Sequence, residues 1–257
     1  MRSLTYWAIL AAIWLPPPAM AARFIPDCAG QVEIARAHVV RVEKNGALIL
    51  EDGRTVMLEG VRLAGADGGS DALSNRALSA LREIALAGPV TFTSVLPKED
   101  RYGRMRAQAF GEQWFQSALL ERGLARVQIA PDRNECAPDL YEAEQRGQAQ
   151  RTGLWALATS TPRAPEAMKG TNGSFQIVQG WVSHVSHSDG RALINFGSDG
   201  RQIFSAVIEP EDRRAFRGFD LDGLEAHKIR IRGMVQDWHG RPQIALSNPS
   251  QIELIDK

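Results

Sequence analysis

Residues 98–110 read KEDRYGRMRAQAF. Asp100 to Gly103 supplies turn chemistry, an acid at the first position and a glycine at the last. On one side lies the β-rich run VTFTSVL (90–96) and on the other MRAQAF (105–110), so the stretch predicts two strands joined across a tight connection. It also gathers Arg101, Arg104 and Arg106 at the start of one strand. The chain as a whole balances 30 Lys and Arg against 30 Asp and Glu. A broad polyanion-binding surface is therefore not expected, and any nucleic-acid contact has to come from local clustering of this kind.

Working outward, AHVVRVEKNGALIL (37–50) places two apolar runs around Asn45-Gly46, and Asp52-Gly53 gives a second turn before RTVMLEGVRL (54–63). This predicts a three-stranded meander. In ALSNRALSALREIALAG (72–88) Leu73, Ala77, Leu81, Ile84 and Ala85 recur at helical spacing until Gly88-Pro89 stops the run. Two more helices are expected, in WFQSALLERGLARV (114–127), ending near Gly123, and in APDLYEAEQRGQAQRTGLW (137–155), starting at Pro138 and stopping at Gly153. Five strands, one helix among them and two behind predict a small α+β barrel of OB type.

ATSTPRAPEAMKGTNG (158–173) lacks periodicity and is rich in Pro, Thr, Gly and Asn, as linkers are. Beyond it come strands in FQIVQGWVSHVSHS, RALINFGS and RQIFSAVI, a short helix in PEDRRAFRGF, a hairpin in HKIRIRGMVQDWHGRPQIALSN, and a last strand in QIELI. This is a second, smaller OB-like barrel. The expected division is residues 1–22, 23–157, 158–173 and 174–257: leader, first barrel, linker, second barrel.

The first 22 residues pair Arg2 with a short apolar run, a proline break and the small-residue pattern Ala19-Met20-Ala21. The run is about ten residues where a membrane span needs about 20, so it reads as a cleaved secretory signal and not an anchor. The mature protein is then periplasmic or extracellular, with no transmembrane segment. Cys28 and Cys136 are the two cysteines. In an oxidising compartment they are expected to form a disulfide, the alternative being two buried thiols. His184, His187, His227 and His239 share no ligand spacing and read as surface groups without arranged carboxylate partners.

The order and spacing of DRYGRMRAQAF, QSALLERGLARV, the helix bearing Glu142 and Glu144, and the closing GLWA resemble the staphylococcal nuclease (thermonuclease-like) domain over roughly residues 35 to 157. That family implies an OB barrel hydrolysing DNA or RNA phosphodiesters, with calcium on two aspartates, a glutamate activating water, and two arginines neutralising the transition state. Fixed positive charge and a base are what such a reaction needs.

Carried onto this chain, the second arginine falls on Arg104, behind Tyr102-Gly103. The first metal aspartate falls on Asn45 or a neighbour, whose amide brings no charge. The next segment fits in two registers. On VRLAGADGGS it keeps Arg62 as the arginine and Asp67 as metal ligand, with Ser70 in place of the glutamate. On VMLEGVRLAG it puts Met57 at the arginine, Arg62 at the aspartate and Gly65 at the glutamate. Both lose the general base, worth roughly 10² to 10⁴ in rate. Glu59 or Asp71 could supply a substitute carboxylate.

The resemblance thus implies a thermonuclease-like fold with a degraded catalytic set, a non-catalytic module for nucleic acid or protein that needs no cofactor. The alternative is a divergent calcium-dependent nuclease using Arg104 and Arg62. Candidate nucleic-acid contacts are Arg101, Tyr102 and Arg104 in the first barrel. In the second they are Trp181, Phe196 and Trp238 as stacking platforms, with Arg230, Arg232 and Arg241 for phosphates.

Overall fold

The computed structural model describes residues 25–66, 71–197 and 203–255. The leader, Asp67 and Ser70 lie outside the described residues, as does the side chain of Asp71.

The first sheet takes in β1 (Gln31–Ala37), β2 (Val39–Val42), β3 (Leu48–Leu50) and β4 (Thr55–Leu58). Two later strands complete it, β6 (Val90–Ser94) and β7 (Met105–Phe110), in the order β1-β6-β7-β4-β3-β2. Only His38 separates β1 from β2, so the two edges of this sheet are halves of one bent strand and the sheet closes on itself. Closure leaves no free edge, which is the advantage of a small barrel. β4 runs parallel to β7, pairing Val56 with Met105 and Leu58 with Ala107.

The three-stranded meander expected at 37–63 forms as β2, β3 and β4, but its third strand is shorter than the run 54–63 suggests. After β4, Glu59 and Gly60 (φ 82°) turn the chain out of the barrel, and β5 (Val61–Leu63) pairs instead with β8 (Ala125–Val127). Helix α1 (Asp71–Leu86) lies between these parts and buries Leu73, Ala77, Leu81, Ile84 and Ala85, the face its spacing predicts. Helices α2 (Phe115–Glu121) and α3 (Ala137–Gln150) pack together behind the barrel. α3 ends three residues before Gly153, where Arg151 takes a left-handed conformation. A disulfide joins Cys28 to Cys136, tying the N-terminal segment to the start of α3.

The second barrel consists of β9 (Phe175–Ser188), β10 (Arg191–Phe196), β11 (Phe204–Ile208), β12 (Lys228–Trp238), β13 (Arg241–Ala245) and β14 (Ile252–Leu254). Their order is β13-β11-β10-β9-β12-β14, with β13 also on β12, so it too closes. β11 and β13 are parallel, as β4 and β7 are in the first barrel. The chain is therefore an α+β barrel domain followed by a second β barrel of the same strand order.

One expectation needs correction here. PEDRRAFRGF forms consecutive turns and no helix, with Phe216 buried in the core and Phe219 packed against it. Its three arginines and two acids leave too few apolar positions to hold a helix against the barrel. The stretch 158–173, expected as the linker, is packed. Arg163 exchanges backbone hydrogen bonds with Ile177 and Gln179, and Met168, in a short 3-10 helix, is fully buried in the second core. Phe175 and Ile177, at the start of β9, belong to the first core.

Candidate functional site

The Asp100–Arg104 turn is organised by one carboxylate. Asp100 Oδ1 accepts hydrogen bonds from the amides of Tyr102 (2.8 Å) and Arg104 (3.1 Å), while Oδ2 accepts from Arg104 Nε at 2.8 Å. Gly103, at φ 71°, takes the left-handed position that lets the chain return. Arg101 and Arg104 both lie over the Tyr102 ring, at 4.8 and 5.0 Å from its centroid. Burial pushes the Asp100 carboxyl up, and the Arg104 guanidinium with the two amides more than offsets this, holding it below the usual range.

Arg106, two residues on, is more tightly held. Its Nε donates to Glu59 Oε2 at 2.6 Å, and its two terminal nitrogens form a fork on Asp132, both at 2.9 Å. Burial works against this cation, and the Asp132 and Glu59 hydrogen bonds outweigh it, raising its pKa. Asp132 is correspondingly lowered, chiefly by the Arg106 hydrogen bond.

These groups line a cleft of about 570 Å³ between the two barrels. The first barrel contributes Met57, Glu59, Arg104, Arg106 and Asp132, and the second contributes Phe175, Met234 and Gln236. Arg104 and Arg106 are thus matched by Asp100, Glu59 and Asp132 inside the same cleft. An incoming phosphate meets guanidinium groups that already hold carboxylates.

Arg62 does not join them. From β5 its guanidinium reaches Gln128 Oε1 (3.4 Å) and the carbonyl of Ala66 (3.3 Å). The barrel strand parallel to β7 carries Met57 opposite Arg106 instead. Asn45 uses its side-chain oxygen within its own turn, accepting from the amide of Ala47 at 3.0 Å. Among the described residues no three His, Cys, Asp or Glu side chains group as a metal site. Asp67, the carboxylate expected as a metal ligand, lies outside the described residues.

In the second barrel, Arg232 is no phosphate reader. It is 1% exposed, with Nη1 2.7 Å from Glu144 Oε2 and Nη2 2.5 Å from Glu253 Oε1, above the Tyr141 ring at 4.4 Å. The outward face of β12 is covered at this point by α3 of the first domain, a contact no local pattern reveals. Arg230 is half-buried against Gln179 and Glu253. Phe196 is fully buried against Phe204. Trp181 and Trp238 are exposed, at 58% and 51%. Trp181 pairs with Lys228 at the first residue of β12 and Trp238 is its last. They therefore lie at opposite ends of β12. Arg241 is exposed beside Trp238 on the β12–β13 hairpin. Two histidines do have acidic partners: His184 faces Glu225 at 2.7 Å and His187 faces Asp222 at 2.8 Å, both at the surface.

The first domain is thus a closed β barrel, flanked by helices, that presents an Asp-Arg-Tyr-Gly-Arg turn to a cleft. Residues 71–157 match the family described as Staphylococcal nuclease homologue, and the chain carries a staphylococcal nuclease-like domain. The matched residues run from α1 to the Gly153–Ala156 turn. The segments bearing Asn45, Met57, Glu59 and Arg62 precede them. No curated protein matches the chain.

Proposed function

We propose that this is an exported, non-cleaving nuclease-like protein that binds its ligand in the cleft between the barrels. The observation that carries this reading is the neutralisation of the two cleft arginines: Arg104 by Asp100, and Arg106 by Glu59 and Asp132. A phosphorane-stabilising clamp needs guanidinium groups aimed at the reacting phosphate. Here they are committed to the protein's own carboxylates. The loss of the general-base glutamate in either register points the same way. The Cys28–Cys136 bridge supports export, since such bonds persist in oxidising compartments.

Nucleic acid remains the ligand to test first, with Arg101, Tyr102 and Arg104 as its contacts and Trp181 and Trp238 as separate secondary ones. With so few phosphates engaged, log affinity should fall with log salt at a slope of about one to two. Titration of the oxidised protein with single- and double-stranded DNA and RNA at several salt concentrations, beside Arg104→Ala, tests this. A shallow slope that drops further in the variant supports the nucleic-acid ligand. Absence of salt-dependent binding assigns the cleft to a polypeptide partner.

One observation favours a divergent nuclease as the second reading. Glu59 shares the cleft with Arg104 and Arg106, so a carboxylate and two guanidinium groups, the kinds of group that base and clamp require, lie together. Glu59 would first have to leave Arg106. Asp67 and Asp71 as metal or base substitutes rest on the sequence alone.

A further inference from the structure

Arg106 and Arg232, the two arginines with multiple ion pairs at the barrel junction, each hold two carboxylates. Arg133 is 4% exposed and makes no ion pair within 4.0 Å among the described residues. Its side chain makes one hydrogen bond, from Nη1 to Ser94 Oγ at 3.2 Å, leaving Nε and Nη2 buried without partners. The hydroxyl of Thr93, fully buried on β6, is likewise unpartnered. Arg133 and Thr93 line the same small cavity of about 20 Å³, beside Cys28 and Cys136. That is room for one small species.

An arginine does not deprotonate in a protein, and a buried charge without a counter-charge is strongly disfavoured. Burial, with the nearby charge of Arg106, holds the Arg133 guanidinium below the ordinary arginine range and outweighs the opposing pull of Glu59, Asp132 and Glu135, none of which reaches it as an ion pair. Two carboxylates line the cavity. Glu59 is already paired with Arg106, and Glu135 is exposed to solvent. The groups left open are two guanidinium N–H donors and a hydroxyl, a set that suits an acceptor carrying negative charge.

We propose that Arg133 and Thr93 form a binding site for one small inorganic anion of halide size, beside the Cys28–Cys136 bridge. The cavity is too small for a phosphate or a carboxylate-bearing metabolite. The site is distinct from the ligand cleft, although Glu59 borders both.

The test is crystallographic and thermodynamic, on the oxidised protein. Crystals grown in sodium bromide should give an anomalous peak within contact distance of Arg133 Nε, Arg133 Nη2 and Thr93 Oγ1. In solution, replacing sodium gluconate by sodium bromide or chloride at constant ionic strength should raise the melting temperature by a few degrees, growing with the logarithm of halide concentration. Arg133→Met should abolish the halide response. Should that variant fail to fold, Thr93→Val keeps the cation and should shift the response to severalfold higher halide. A water alone at the site in bromide crystals, or a halide response unchanged in the variants, overturns the proposal.

Discussion

Arg232 of the second barrel and Glu144 of the first meet at 2.7 Å with both side chains 1% exposed, and Glu144 Oε1 also accepts the Val127 amide. The pair fastens β12 to α3 and β8 across the junction. Removing one partner strands a buried charge, so Arg232→Ala should destabilise the protein by roughly 3 to 5 kcal/mol in urea unfolding. Arg232→Met combined with Glu144→Gln keeps an acceptor for Val127, removes both fully buried charges and leaves Glu253 its contact with Arg230. It should recover most of that loss, and a double variant as unstable as Arg232→Ala would show that packing, not charge, holds the junction.

The Cys28–Cys136 bond spans a sequence separation of 108 residues. In the chain-entropy view a loop of this size confers on the order of 4 to 5 kcal/mol. Cys28→Ser with Cys136→Ser should lower the urea midpoint accordingly, and dithiothreitol should do the same to the wild type while leaving the double variant unaffected.

Gly147 sits inside α3, where alanine ordinarily stabilises a helix by up to about 1 kcal/mol. Here an added Cβ would lie 2.3 Å from the carbonyl oxygen of Leu120 in α2. Gly147→Ala should therefore destabilise, by about 1 to 3 kcal/mol, as overpacking does. A gain in melting temperature would mean the two helices can move apart freely.

Arg106 depresses the pKa of Asp132, so their interaction stabilises the fold fully above the ordinary aspartate range near pH 4. That contribution is lost as the pH falls through the lowered native value. The Asp132 side chain is 44% exposed, which limits the effect to about 1 kcal/mol. Asp132→Asn should be less stable than wild type at pH 7, and the two should converge in strong acid. A constant difference across the range would remove the ion pair as the cause.

The barrel strands, the apolar face of α1 and the Asp100–Arg104 turn could be read from the sequence, because each depends on neighbours within a few residues. Turn glycines and alternating apolar positions act locally. What was hidden acts at long range. Arg232 looks like a solvent-facing strand residue until Glu144, 88 residues away, covers it. Glu59 and Asp132 reach Arg106 from separations of 47 and 26 residues. The split of the third strand at Glu59-Gly60 was hidden for another reason: both halves have strand composition, and only the pairing of β5 with β8 separates them.

The central claim is that the cleft binds without cutting. The most direct measurement is a nuclease assay on the oxidised protein, with single- and double-stranded DNA and RNA, in millimolar calcium and in excess chelator, beside Arg104→Ala. The account predicts no calcium-dependent cleavage by either protein. Calcium-dependent cleavage that disappears in Arg104→Ala would contradict it and place Glu59 under test as the base.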